Sequence, residues 1–206
     1  MSWESWMAFA AASMVLLAIP GPTVILVVSY ALGHGRSSGW ATVPGVTLGD
    51  FTAMTVSLAG AGAVLAASAT LFTALKLVGA AYLIWLGIQL WRARPEGGVA
   101  LRGMRAADRR RMFWHSFVVT ALNPKGIVFF VAFVPQFVDP TRPVLGQFVI
   151  FEVTFLALAA ANVALWAVMA GQLRARFQRP QALRLMNRVG GSFLIGAGLF
   201  TALARR

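Results

Sequence analysis

The chain has 206 residues, of which 59% are hydrophobic and 12% are charged, and its mean hydropathy is +0.74. Soluble domains are about 45–50% apolar and about 25% charged, so this chain lacks the polar surface that keeps a globule in water. The net charge is +12, but most of the arginines lie in two short stretches between long uncharged runs. This distribution disfavours a nucleic-acid-binding domain and predicts a multi-pass helical membrane protein. The absence of cysteine excludes disulfides and thiolate metal sites.

Six apolar stretches are long enough, or nearly so, to cross a bilayer core that needs about 20 helical residues. They are predicted at about 6–32, 42–66, 71–91, 113–137, 144–170 and 186–203. The first and fifth are longer than required and are expected to tilt or break. Arg188 shortens the sixth, so five spans with a re-entrant segment are an alternative.

The arginines outside these stretches predict how the chain crosses the membrane. Thirteen lie in the first, third and fifth connections, and three lie on the other side, at Arg142, Arg205 and Arg206. The thirteen are Arg36, Arg92, Arg94, Arg102, Arg105, Arg109, Arg110, Arg111, Arg174, Arg176, Arg179, Arg184 and Arg188. Because cytoplasmic loops are enriched in arginine and lysine, these connections are predicted to be cytoplasmic and both termini external.

The two halves of the sequence resemble each other in the order of their features. Residues 76–87 and 187–198 are identical at five of twelve aligned positions. These are Val78/Val189, Gly79/Gly190, Leu83/Leu194, Ile84/Ile195 and Gly87/Gly198. In addition, Asp50 follows Pro20 by 30 residues, and Glu152 follows Asn123 by 29. Chance recurrence of small apolar residues is the alternative explanation.

Three spans per half would place the halves in opposite orientations, as in the inverted repeats of many secondary transporters. The predicted fold is therefore all-α, with six transmembrane helices arranged as two inverted three-helix repeats. It forms a single transporter domain over residues 1–206. Repeat one covers about 1–94, an arginine-rich cytoplasmic loop about 92–112, and repeat two about 113–206.

Prolines interrupt the first span of each half, at Pro20-Gly21-Pro22, followed by Thr23, and at Asn123-Pro124-Lys125. A proline removes a backbone donor, and in lipid the freed groups need new partners or water. Unwound helix ends would offer N–H groups to a carboxylate and carbonyls to an ammonium. These seven residues are therefore the candidate binding site for a small zwitterion, with a simple packing kink as the alternative.

Asp50, Lys125 and Glu152 are the ionisable residues well inside the predicted spans. A charge at the bilayer centre costs about 2.5–3.5 kcal/mol on insertion scales, so such residues are functional by default. A carboxylate in low dielectric takes up a proton readily, which makes Asp50, and more weakly Glu152, candidate proton-coupling residues. Asp50 could instead form a structural pair with Lys125, and Arg142 or the interface could solvate Glu152. Lys125 could bind a substrate carboxylate, pair with Asp50, or alternate between them.

Four glycines are expected to pack helices closely, namely Gly45 and Gly49 at a four-residue spacing and Gly79 and Gly190 at matching repeat positions. Lys76, near the start of the third span, is expected to reach the membrane surface. The sequence shows neither a metal-ligand spacing nor a nucleophile–base pair or nucleotide loop. Neither a cofactor nor enzymatic activity is therefore expected.

These residues together resemble the LysE/RhtB family of amino-acid exporters over nearly the whole chain. The matching segments, in family order, are Pro20-Gly21-Pro22, His34-Gly35-Arg36 with Gly39, Gly45 with Gly49-Asp50, residues 76–83, Asn123-Pro124-Lys125, Phe129-Phe130 and Pro135-Gln136-Phe137. The resemblance implies a multi-pass protein of the bacterial inner membrane that exports basic, small neutral or branched amino acids using the proton motive force. Thr23 and Gly126 stand where members often have Asn and Ala, so the substrate could differ.

The sequence therefore predicts a secondary active exporter of an amino acid or similar small zwitterion, by proton antiport with alternating access. Its expected partners are the substrate, protons and membrane lipids, without nucleic acid and with a homo-oligomer left open. A membrane-embedded enzyme or lipid-handling protein on an inverted-repeat scaffold is the alternative. A structural subunit is a third hypothesis, which the intramembrane ionisable residues disfavour. The two proline breaks are expected to face each other near the midplane, with one carboxylate on either side.

Overall fold

The computed structural model describes residues 1–93, 108–139, 141–177 and 180–203, and within these ranges all regular structure is helical. The α-helices there are α1 (Trp3–Ala18), α2 (Pro22–His34), α3 (Gly39–Ala67), α4 (Ala69–Arg92), α5 (Arg109–Ala121), α6 (Pro124–Val128), α7 (Val144–Phe177) and α8 (Pro180–Leu203). A 3₁₀ turn at Arg36–Ser38 precedes α3. A π-helical turn, Phe129–Phe133, and a 3₁₀ helix, Val134–Phe137, continue α6.

The first helix of each half is broken where the sequence places its prolines. The axes of α1 and α2 differ by 54°, and α5 differs from α6 and its continuation by 41°. Pro20 and Pro22 have no N–H to donate to the carbonyls one turn back, so α1 ends at Ala18 and α2 starts afresh at Pro22. At the second break, the Asn123 side chain caps α6 by accepting from the backbone N–H of Lys125.

Several described helices have the length and composition of membrane spans. Thr70–Arg92 and Val144–Ala170 qualify singly, and each broken pair qualifies if it is one bent span. Two further helices, α3 and α8, have the length alone: with 29 and 24 residues they are about 44 and 36 Å long, which exceeds a hydrocarbon core of about 30 Å. Large apolar side chains cover the outside of the bundle, as lipid contact requires. Those largely exposed include Trp40, Val56, Val78, Leu122, Leu145 and Leu203.

The helix ends differ from the predicted spans in the second half. The helix α7 continues to Phe177 instead of ending near residue 170, and α8 begins at Pro180 instead of near 186. Arginine is a good helix former, so a helix can continue past the apolar stretch into a solvated arginine-rich segment. The end of an apolar stretch therefore predicts the boundary of the membrane, whereas the helix itself can extend beyond it. Most of the arginine-rich loop predicted at 92–112 lies outside the described residues.

The helices α4 and α8 run antiparallel in backbone contact. A methyl group at Gly87 would lie 2.6 Å from the Gly191 carbonyl oxygen, and one at Gly198 would lie 2.7 Å from the Ala80 carbonyl oxygen. No side chain fits at such distances, so glycine at both positions permits this approach.

The helix α3 packs mainly against α5 and α7. Its Gly45 and Gly49 lie against the backbone carbonyls of Phe113 and Phe117 on α5, so α3 and α5 run parallel. On α7, Gly39 lies against Ala167, and Val46 packs with Val163. The Thr55 hydroxyl donates to Glu152, so α3 and α7 run antiparallel. The remaining predicted packing glycines, Gly79 and Gly190, lie against Ala132 and Ile19.

The broken helix α1–α2 crosses the middle of the bundle. It runs parallel to α7, since Trp6 donates to Thr154 near one end and Val24 packs with Ala170 near the other. It runs antiparallel to α5, since Thr23 lies beside Thr120 near one end of the contact and Tyr30 hydrogen-bonds the His115 ring at 2.8 Å near the other. Beside the breaks lies a cluster of aromatic rings that are 0–2% exposed. They are Phe9, Phe129, Phe130, Phe151 and Phe155.

Candidate functional site

The two proline breaks lie against each other in the interior of the bundle. The hydroxyl oxygens of Thr23, in the first turn of α2, and Thr120, in the last turn of α5, are 3.2 Å apart. The Asn123 side chain donates to the same Thr23 hydroxyl at 3.3 Å. Three polar side chains therefore join the two breaks directly.

The ammonium group of Lys125 lies on the first break. Its Nζ donates to the carbonyl oxygens of Leu16 and Ile19, at 3.0 Å each. In a continuous helix the Leu16 carbonyl would accept from residue 20, which is proline and has no N–H. Gly21 lies beside the lysine, since a methyl group there would be in ordinary van der Waals contact with Nζ, at 3.4 Å. Lys125 thus replaces the helical hydrogen bonds that the break removes.

Asn162, on α7, satisfies a third carbonyl of the same break. Its Nδ2 donates to the Leu17 carbonyl oxygen at 3.2 Å. In a regular helix this carbonyl would accept from the N–H of Gly21. The sequence interpretation missed this residue. Its signal was a single amide in the middle of an apolar span, where a polar side chain needs a partner.

A cavity of about 40 Å³ lies at the crossing of the breaks. Its walls come from α1, α2, α3, α6 and α7, through Leu16, Leu17, Gly21, Thr23, Val24, Val46, Asp50, Asn123, Lys125, Gly126, Phe155, Asn162 and Val163. This volume holds a few water molecules, whereas ligand pockets usually measure about 300–1,000 Å³. The crossing is therefore closed around its polar groups in this conformation.

Asp50 is 8% exposed and reaches the cavity from α3. It interacts electrostatically with Lys125. The single ion pair within 4.0 Å among the described residues joins Arg142 to Asp139. The direct Asp50–Lys125 pair considered from the sequence is therefore not formed here, and the two side chains face one cavity from different helices.

The structure separates the other predicted acid from this cavity. Glu152 accepts a hydrogen bond from the Thr55 hydroxyl at 2.6 Å, at the α3–α7 contact, and it is not part of the cavity wall. Lys76, which was expected at the membrane surface, is 6% exposed. That expectation was wrong because α4 begins at Ala69, which places Lys76 two turns inside the helix.

The seven predicted binding residues divide into two groups. Gly21, Thr23, Asn123 and Lys125 line the cavity. The prolines Pro20, Pro22 and Pro124 do not line it and instead end or start the helices beside it. The two positions that depart from the family pattern, Thr23 and Gly126, both border the cavity.

Comparison with known proteins gives one family over nearly the whole chain. Residues 14–205 match the family described as LysE type translocator. A homoserine/homoserine lactone efflux protein of Salmonella typhimurium is 33% identical over 206 residues, covering 100% of this chain and 99% of that protein. A leucine efflux protein of an Enterobacter species is 27% identical over 191 residues, covering 91% and 90% of the two chains.

A protein of Vibrio cholerae that is known only as a membrane protein is 32% identical over 200 residues, covering 97% of each chain. No solved structure matches the chain significantly. These three relatives are bacterial, and the two with a stated activity are efflux proteins.

Proposed function

The chain belongs to the LysE type translocator family, and from this membership we propose that it exports a small amino acid by proton antiport with alternating access. Its relatives named as efflux proteins support export. The observation that carries the mechanism is the crossing of two broken helices around a half-buried lysine, Lys125, and a buried aspartate, Asp50. Secondary transporters place substrate and coupling-ion sites at such discontinuous helices.

The crossing offers a partner for each end of a zwitterion. The carbonyls of Leu16 and Ile19 already hold one ammonium group, that of Lys125, so their position suits the ammonium of a substrate. The first turn of α2, which begins at Pro22 and lines the cavity through Thr23, has free N–H groups and the positive end of the helix dipole. We place the substrate carboxylate there.

The cavity wall favours an uncharged side chain. Val24, Val46, Phe155 and Val163 contribute apolar surface, and Lys125 would repel a second cation. One relative is named for leucine and another for homoserine and its lactone. These compounds all carry an ammonium group, whereas the lactone lacks a free carboxylate. We therefore propose a neutral amino acid as substrate, recognised first through its ammonium.

Asp50 is the proposed proton-coupling residue. It is buried, it faces the cavity, and it forms no ion pair in the closed conformation. Protonation of Asp50 from one side of the membrane and deprotonation to the other would then be linked to substrate binding in the same cavity. A second coupling role for Glu152 stays a prediction, since its contact is with Thr55 outside the cavity.

Helix directions support six crossings. The helix α3 is parallel to α5 and antiparallel to α7, α4 is antiparallel to α8, and α1–α2 is parallel to α7 and antiparallel to α5. Counting each broken pair as one span, these relations fit six spans of alternating direction. We propose that the whole chain forms one domain of this kind.

Contacts between α4 and α8 support an inverted repeat. The repeat alignment pairs Gly87 with Gly198 and Ala80 with Gly191. In the structure Gly87 lies against Gly191, and Gly198 lies against Ala80. Exchanging the two halves converts one contact into the other, as a two-fold axis between them requires. We further propose that the arginine-rich connections are cytoplasmic, as the enrichment of arginine in cytoplasmic loops suggests, and that the chain lies in the bacterial inner membrane, in contact with its lipids.

Transport by the purified protein tests the proposal. Proteoliposomes loaded with labelled leucine, homoserine or lysine should release the neutral amino acids faster when an imposed pH gradient drives protons inward across the protein. Empty liposomes and a gradient collapsed by an ionophore are the controls. An efflux rate that does not change with the pH gradient for any of the amino acids would contradict proton antiport.

A further inference from the structure

The Lys125 ammonium occupies the place that the proposed function assigns to the substrate ammonium. Both groups are primary ammonium ions with the same hydrogen-bonding capacity. The Leu16 and Ile19 carbonyls each hold Lys125 at 3.0 Å. Because the cavity measures only about 40 Å³, the substrate ammonium and the Lys125 ammonium cannot both be hydrogen-bonded to these carbonyls at the same time.

The Lys125 ammonium has a second potential partner in the same cavity, the Asp50 carboxylate. Asp50 and Lys125 are the ionisable groups among the described residues that line it. On the helices packed against α3, Glu152 of α7 is hydrogen-bonded to Thr55, and His115 of α5 is hydrogen-bonded to Tyr30. An ionised Asp50 would therefore attract Lys125, whereas a protonated Asp50 would not.

We propose that Lys125 is a tethered competitor of the substrate ammonium for the carbonyls of Leu16 and Ile19, and that it moves to Asp50 when this residue loses its proton. This inference rests on the proposed function. It assigns Lys125 a positioning role that converts protonation of Asp50 into release of the substrate.

Antiport follows from this exchange. With Asp50 ionised, Lys125 pairs with it, and the carbonyls are free to bind the substrate ammonium on the cytoplasmic side. When a proton from the external side binds the Asp50 carboxylate, Lys125 returns to the carbonyls and displaces the substrate outward. The protonated site then reopens to the cytoplasm, where Asp50 releases the proton. One proton enters for each substrate that leaves, and one positive charge moves inward.

Leucinol is the probe that separates this role from carboxylate binding. It has the ammonium and side chain of leucine but no carboxylate, so a lysine that only binds carboxylate would not affect it. In nanodiscs at pH 6, Lys125→Met should bind leucinol about tenfold more tightly than the wild type, the factor expected when one competing charged hydrogen bond is lost. Lys76→Met is the matched control, since it removes the other lysine of the chain, which lies outside the cavity wall, and it should bind leucinol as the wild type does.

Asp50→Asn gives the complementary result. It should bind leucinol at pH 8 as weakly as the wild type does at pH 6. The asparagine side chain has no carboxylate that could attract Lys125 away from the carbonyls. Leucinol affinity in Lys125→Met that equals or falls below that of the wild type would overturn the inference.

Proton release by the wild type provides a measurement that needs no variant. Leucinol binding at pH 6 in weak buffer should release about one proton per ligand, because binding of the amine requires Asp50 to ionise. Binding without proton release would also overturn the inference. A wild type that transports leucine but fails these tests would leave the proposed function standing, whereas a wild type that transports no amino acid would remove both.

Discussion

Replacement of Gly198 by alanine tests the packing of α4 on α8. The new methyl group would lie 2.6 Å from the Ile84 side chain and 2.7 Å from the Ala80 carbonyl oxygen. The two helices would have to separate, and overpacking of this kind costs about 1–3 kcal/mol. The substitution also removes a helix glycine, which by itself favours the folded helix by about 1 kcal/mol.

Gly196 is the matched control for this variant. It lies on the same helix two residues earlier, and nothing lies within 4 Å of a methyl group placed there. Since both substitutions gain the same helix propensity, the difference between them isolates the contact with α4. Gly198→Ala should therefore be about 1–3 kcal/mol less stable than Gly196→Ala, which corresponds to about 2–4 °C of melting temperature per kcal/mol for a chain of this size.

Thermal unfolding in a mild detergent measures this difference. Gly87→Ala should behave like Gly198→Ala, because its methyl group would lie 2.6 Å from the Gly191 carbonyl oxygen in the equivalent contact. Equal melting temperatures for Gly196→Ala and Gly198→Ala would refute the close packing. A large effect of Gly198→Ala with none of Gly87→Ala would contradict the two-fold relation between the repeats.

Three further predictions concern the break, the second acid and the membrane orientation. Asn162→Ala leaves the Leu17 carbonyl without its side-chain donor, so it should lower stability by about 1 kcal/mol in thermal unfolding, and an unchanged melting temperature would contradict the role of this amide. Glu152→Gln should slow gradient-driven efflux in proteoliposomes if this acid also couples protons, and wild-type rates would remove Glu152 from the mechanism. Cysteines introduced singly at Ser2 and Ser37 should react with impermeant maleimides from opposite sides of the membrane, and labelling from one side only would overturn the predicted orientation.

The sequence predicts the broken helices because proline acts locally. Pro20 and Pro22 remove donors from α1 whatever surrounds them, and Asn123 is a good capping residue directly before Pro124. The packing glycines are likewise recognisable from spacing and from the repeat. These features depend on neighbours within one turn or on the alignment of the two halves, so they can be predicted from the sequence.

The partners across the breaks could not be predicted in the same way. Lys125 is 109 and 106 residues from the carbonyls it holds, and it reaches them only because the bends bring α6 onto the end of α1. The sequence left three roles open for this lysine, and none of them was a hydrogen bond to the broken helix. Asn162 was missed for the same reason, since its partner Leu17 lies on another helix.

Gradient-driven transport by Asp50→Asn tests the central claim most directly. Asparagine preserves the size of the side chain but cannot exchange a proton, so the purified variant should still exchange labelled leucine for unlabelled leucine across the liposome membrane. It should no longer move leucine against its concentration gradient when a pH gradient is imposed, whereas the wild type should. Proton-driven accumulation by the variant at the wild-type level would contradict the account, because coupling would then not pass through Asp50.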